Sequence, residues 1–203
     1  DLKMATVTTS IGTNSSLGTA TPSGCSGSGP WDVTISLSPH NVSVGDTAKI
    51  TDYTQGDFYY LITEISGTTW TFKYISGGMG STSPCTLQNM SYGQASATFQ
   101  RTYSTISAWE SDLDDTSYYS SGDDAVGEAY NDSVFDEYIV IASGGTVGLS
   151  SVTLTAPSSE RHDGKAGTGT RIEYTGNQGS SFRIRRSQCT VEWLELDLTS
   201  TNS

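Results

Sequence analysis

Basic residues are scarce in this sequence. Only 10 Lys and Arg stand against 22 Asp and Glu, a formal net charge of -12, so the chain repels phosphate backbones and nucleic acid is excluded as an expected partner. Long apolar runs are lacking too. None approaches the roughly 20 residues needed to cross a bilayer, so membrane insertion is not expected. The opening Asp1-Leu2-Lys3-Met4 has no apolar signal core, and Met4 reads either as a start codon preceded by other sequence or as part of a processed chain. There are only three cysteines, Cys25, Cys85 and Cys189, with no CxxC pair, which removes the metal-ribbon and thioredoxin signatures. Cys25 and Cys85 flank one segment and suit a single disulfide in an oxidising compartment, the alternative being two free thiols. Cys189 lies in a strand pattern and reads as a small buried hydrophobe. Histidine is rarer still: neither His40 nor His162 is accompanied by a Ser-His-Asp order or a nucleophile elbow.

What the chain does have is 32 Ser, 29 Thr and 22 Gly, a β-rich and turn-rich composition. Disorder is the alternative reading of such a chain, but 11 Tyr, 4 Trp and 5 Phe interleaved with β-branched residues supply the apolar area that disordered chains lack. The sequons at Asn14, Asn41, Asn89 and Asn131 are what so much Ser and Thr produces by chance. A length of 203 residues suffices for one large or two small domains with a core of their own.

The patterning divides the chain into four stretches. Residues 1–14 hold one alternating strand. Residues 15–30, nearly devoid of apolar side chains, read as a Gly/Ser/Pro linker. Residues 31–100 alternate from Trp31, from Val44, from Phe58 and from Trp70, with Ser66-Gly67-Thr68-Thr69 as a hairpin turn, which predicts a small antiparallel β-barrel or sandwich. In residues 101–203, Ile106, Ala108, Trp109 and Leu113 predict one short helix, with Ser107 and Glu110 in capping-box relation. Short runs then recur at Tyr138, Val152, Arg171 and Phe182, and from Val191 to Leu196. That cadence predicts stacked strands, and no exact repeat accompanies it.

The strings Tyr103-Ser104-Thr105-Ile106-Ser107-Ala108-Trp109-Glu110, Tyr130-Asn131-Asp132-Ser133 and Gly145-Thr146-Val147-Gly148-Leu149, followed by Leu154-Thr155-Ala156-Pro157, resemble the opening of right-handed parallel β-helix proteins of the pectin-lyase-like kind. Such openings occur in bacterial and phage surface proteins. The resemblance covers roughly residues 101–198. It implies a short helix capping the first rung of a β-solenoid, with a small β-domain inserted between the leading strand and that cap. Enzymes of that kind carry their catalytic groups on later rungs than this stretch supplies.

Several side-chain groups are candidates for chemistry. Asp112, Asp114, Asp115, Asp123 and Asp124 concentrate negative charge and are the nominees for calcium, the one ion this sequence suggests, against the alternative of a solvated acidic loop. Glu160, His162 and Asp163 form the best catalytic-looking cluster, because an adjacent carboxylate tunes a histidine as a general base; charged loop residues before a glycine turn are the plainer reading. Tyr59, Tyr60, Trp70 and Tyr74 crowd two adjacent strands and are candidates for stacking sugar rings, with the domain's own core as their ordinary fate. Arg183, Arg185 and Arg186 make the one basic patch and suit contact with an acidic surface of a neighbouring copy. Taken together, these readings predict an all-β, noncatalytic, self-assembling surface or virion protein with an adhesion role, forming a homo-oligomer or larger assembly and contacting surface polysaccharide. The rival expectations are a carbohydrate-active β-helix enzyme, a polysaccharide lyase or glycosidase, and a carbohydrate-binding module.

Overall fold

The computed structural model describes residues 5–35, 39, 41–52, 55–79, 82–86, 96–175 and 182–198, and it is predominantly β. Two compact units divide the chain: residues 14–102, and residues 1–13 together with 103–203. The first is thus inserted into the second.

Strand β1 (Thr6–Ile11) belongs to the outer unit. The inserted unit follows, with β2 (Gly18–Ala20), β3 (Pro22–Gly27), β4 (Trp31–Ile35), β5 (Thr47–Asp52), β6 (Gly56–Ser66), β7 (Thr69–Gly77) and β8 (Ala97–Gln100). They form one sheet in the order β2-β8-β5-β6-β7-β4-β3, antiparallel throughout. Gly67 makes the β6–β7 turn at φ 59°, a left-handed conformation that glycine adopts without penalty. Only Thr21 separates β2 from β3, yet these strands lie at opposite edges of the sheet order, so one bent segment supplies both edges.

This corrects the linker expected over residues 15–30 and widens the expected 31–100 domain. Composition there carries little apolar area of its own, and the strands form because neighbours order them. β2 pairs with Ala97–Phe99, and β3 pairs along Trp31–Ile35. Leu17, Ala20 and Pro22 turn inward, and Cys25 is joined by a disulfide to Cys85. Closing a loop of 60 residues removes denatured-state entropy equivalent to about 4 kcal/mol. Trp31, Phe58, Tyr60, Trp70, Phe72 and Phe99 fill the core. Beside them Arg101 Nη1 lies 3.1 Å from Asp46 Oδ1 with both side chains buried, a pairing that neutralises two charges otherwise too costly to remove from water.

The outer unit continues with the helix α1 (Ile106–Ser111), then β9 (Asp124–Ala129), β10 (Phe135–Asp136), β11 (Ile139–Ile141), β12 (Ser151–Thr155), β13 (Arg171–Tyr174), β14 (Phe182–Ile184), β15 (Cys189–Val191) and β16 (Glu195–Leu198). Three sheets result, β1-β9-β12-β15, β10-β13-β16 and β11-β14, and every pairing in them is parallel. The registers set apolar side chains in columns: Ala125, Val152 and Cys189; Phe135, Ile172 and Leu196; Ile141 and Ile184. The run expected as one strand from Val191 to Leu196 is broken in two, with Trp193 at φ 62° in the turn. An alternating string does not reveal such a break, because both halves keep strand-like composition.

The helix is capped two residues earlier than its sequence suggested. Thr105 is the N-cap, its Oγ1 accepting from Ala108 N at 3.0 Å, so Ser107 and Glu110 do not form a capping box. Trp109 is fully buried. It lies over β9 at Gly127, where an added Cβ would stand 2.6 Å from the indole, so only glycine admits this approach.

Candidate functional site

The acidic stretch is built into turns. Asp114 Oδ1 accepts from Thr146 N at 2.7 Å and Val147 N at 3.1 Å. Asp115 Oδ1 accepts from Ser117 N at 2.7 Å, and Asp123 accepts from Ser120 N at 2.8 Å and Ala5 N at 3.3 Å. Asp124 Oδ1 accepts from Ser151 Oγ at 2.6 Å. Partial burial alone would raise Asp114, but backbone N–H groups of Val147, Gly144 and Thr146 outweigh it and hold the carboxyl below its ordinary range. Asp112 is displaced upward, first by burial and then by its neighbour Asp115. Among the described residues no three His, Cys, Asp or Glu side chains converge as ion ligands. The five aspartates nominated for calcium are spread along the chain, Asp114, Asp115 and Asp123 accepting from backbone N–H groups and Asp124 from the Ser151 hydroxyl.

The loop between β12 and β13 brings Glu160, His162 and Asp163 together in sequence only. Glu160 Oε2 accepts from Asn131 N. His162 Nδ1 accepts from Gly164 N at 3.2 Å, while its backbone N donates to Trp193 O at 3.1 Å. Asp163 Oδ1 accepts from Thr168 Oγ1 at 2.6 Å and Lys165 N at 3.0 Å; the Thr168 hydroxyl is the main reason its carboxyl titrates low. His162 and Asp163 face their own turn, and Glu160 reaches out of it to Asn131. The carboxylate of Asp163 is held by Thr168 and Lys165, not aimed at the imidazole.

Of the aromatic candidates, Tyr60 and Trp70 are fully buried, which corrects their reading as ligand contacts. Tyr60 stacks on Phe72 with ring centroids 5.9 Å apart, and Trp70 lies 5.1 Å from Phe99. Both belong to the inward row of their strands, where large apolar area is best removed from water. Burial also drives the Tyr60 hydroxyl far above its ordinary range. Tyr59 and Tyr74 are half-buried, and Tyr74 Oη donates to Gly77 O at 2.8 Å. His40 and Asn89 lie outside the described residues.

The three arginines differ from one another. Arg186 Nη1 donates to Ser143 O at 2.6 Å and Nη2 to Leu149 O at 3.2 Å, so it is an internal clasp on the turn after β11. Arg183 lies over the Tyr138 ring at 5.6 Å. Arg185 is exposed.

The sequence reading expects a capped first rung and strands left without a cap after Leu198; pattern reading did not show how the side chains at the two ends of the outer unit are covered. At the β1 and β11 end, Glu137 accepts from Ile106 N and Ser107 N at 2.8 Å each, and Glu110 accepts from Ala142 N at 2.9 Å and Ser143 N at 2.8 Å. The helix terminus and the turn after β11 therefore have their donors satisfied. At the opposite end, β14, β15 and β16 each have a sheet neighbour on one side among the described residues. There Ile184 is 48% exposed and Leu196 44% exposed, although Ile141 and Ile172, which precede them in the same columns, are fully buried. Trp193, also 48% exposed, packs its ring against the Arg161 guanidinium at 4.8 Å. The available signal was compositional: Phe182-Arg183-Ile184-Arg185 and Glu195-Leu196-Asp197-Leu198 alternate apolar residues with charges of opposite sign.

No family model, no curated protein and no solved structure matches the chain.

Proposed function

We propose that this protein is a noncatalytic structural component of a virion or an extracellular or cell surface, assembling with copies of itself and displaying the inserted unit for adhesion, surface polysaccharide being the ligand class in view. On this reading the three parallel sheets coil as a short β-solenoid with α1 as its cap, and the seven-stranded inserted unit closes as a small barrel. One observation carries the assembly reading: apolar columns that are fully buried at Ile141 and Ile172 emerge into solvent at Ile184 and Leu196, on strands that have one sheet neighbour each among the described residues. Such edges pair with further strands, and covering each large apolar side chain contributes about 1.5–3 kcal/mol. The Cys25–Cys85 disulfide supports an oxidising location, and the net charge of -12 keeps free subunits apart until contacts form.

Light scattering across a concentration series tests this. The expected result is a mass that rises above the 21.5 kDa of one chain as concentration increases. A particle that stays monomeric at the highest attainable concentration overturns it.

A further inference from the structure

The loop between β12 and β13 holds the chain's sole Asp-Gly step, Asp163-Gly164. Asp163, Gly164, Lys165, Ala166 and Gly167 are all exposed. Gly164 has φ 87° and nothing within 4 Å of the place a Cβ would take, which leaves the peptide between Asp163 and Gly164 room to turn. The histidine beside it is held. His162 N donates to Trp193 O at 3.1 Å, and Gly169 packs so closely that a Cβ there would stand 2.6 Å from His162 N. An anchored residue therefore flanks an unencumbered one.

Gly164 N donates to His162 Nδ1 at 3.2 Å, so a base meets the amide nitrogen that lies one bond-forming step from Asp163 Cγ. Attack by Gly164 N on Cγ of the protonated carboxyl closes a succinimide ring. The N–H proton passes to His162 Nδ1, the Cγ–O bond breaks, and the carboxyl hydroxyl takes up that proton and leaves as water. Water then reopens the ring. Opening at Cγ restores aspartate, whereas opening at the Asp163 backbone carbonyl leaves isoaspartate, with the main chain running through Cβ and Cγ. Composition is unchanged overall, and nothing is oxidised or reduced. Two contacts work against the reaction. Thr168 Oγ1 lies 2.6 Å from Asp163 Oδ1 and Lys165 N donates to the same oxygen at 3.0 Å, which favours the ionised carboxylate, the form with no hydroxyl to lose.

We infer that Asp163 is a site of self-modification to isoaspartate, with His162 taking the Gly164 amide proton and Thr168 restraining the rate. The product carries its carboxylate away from the Thr168 and Lys165 donors, so the modification loosens the loop that those bonds hold. Ageing the intact protein in neutral buffer tests this, with succinimide read as the loss of one water and isoaspartate mapped by peptide fragmentation. In wild type, isoaspartate should accumulate at residue 163 ahead of every other aspartate. His162→Ala is expected to slow its formation about tenfold, and added imidazole should restore the rate. His162→Gln, which keeps a side-chain acceptor but takes up no proton, should be slowed likewise, and Thr168→Val should be quicker than wild type. Circular dichroism that matches wild type shows that each variant folds.

Isoaspartate that forms no faster at Asp163 than at the other aspartates overturns the inference. So does a His162→Ala or His162→Gln rate equal to wild type, a His162→Ala rate that imidazole leaves unchanged, or a Thr168→Val rate at or below wild type.

Discussion

Trp70 and the acidic side chains show how position outweighs residue type. An aromatic on a β-strand is equally suited to a sugar platform and to a core, and the alternating row of Trp70 and Phe72 settles on the core because that row faces inward in β7. Trp70→Ala is therefore expected to destabilise the inserted unit by about 3–5 kcal/mol, read as a lowered denaturant midpoint. A solvent-facing role predicts an unchanged midpoint. Strand character at Trp70 and its inward row were legible from alternation alone. The partners of Asp114, Asp123 and Asp124 were not, because each accepts from a backbone or hydroxyl group distant in the chain, and spacing along the chain holds no record of that.

Among the elements, α1 and the strand it covers depend on a layer of tyrosines. Tyr119 is buried with its Oη 3.4 Å from Thr9 Oγ1. Burial pushes its hydroxyl from 10.0 up to about 12. The folded state then holds this proton more tightly than the unfolded chain does. The stabilisation is complete below pH 10 and is lost as pH rises through about 12. Alkaline unfolding followed by circular dichroism should accordingly show stability falling above pH 10, and Tyr119→Phe should flatten that fall; equal slopes in both proteins would contradict it. The helix itself was readable from Ile106, Trp109 and Leu113. Its cap was not, since Thr105 and Ser107 are chemically interchangeable as N-caps and Glu110 had two possible destinations. Strands β2 and β3 were hidden for a related reason. Their Ser, Thr and Gly residues become strand only through pairing with Ala97–Phe99 and Trp31–Ile35.

At the scale of the whole molecule, each unit closes on itself at the point where the chain passes between them. Within the inserted unit Arg101 N donates to Asn14 O at 3.1 Å; within the outer unit Gly12 N donates to Tyr103 O at 2.8 Å and Tyr103 N to Ser10 O at 3.0 Å. Replacing residues 14–102 by a short Gly-Ser bridge should therefore leave the outer unit folded, with a cooperative thermal transition of its own. A molten product would show that the insertion holds its host together. The two-part division was partly visible in the switch from antiparallel hairpin signals to widely spaced runs. The exposure of Ile184 and Leu196 was not, because it depends on which residues share a column across passes of 24 to 43 residues.

Those columns lead to the most direct measurement. Hydrogen exchange at the backbone amides of β14, β15 and β16, recorded in dilute and in concentrated protein, reports whether another molecule completes these strands. Protection that appears only at high concentration, and only in those three strands, is the predicted result. Exchange that is equally slow in dilute protein, or equally fast in concentrated protein, would contradict the account.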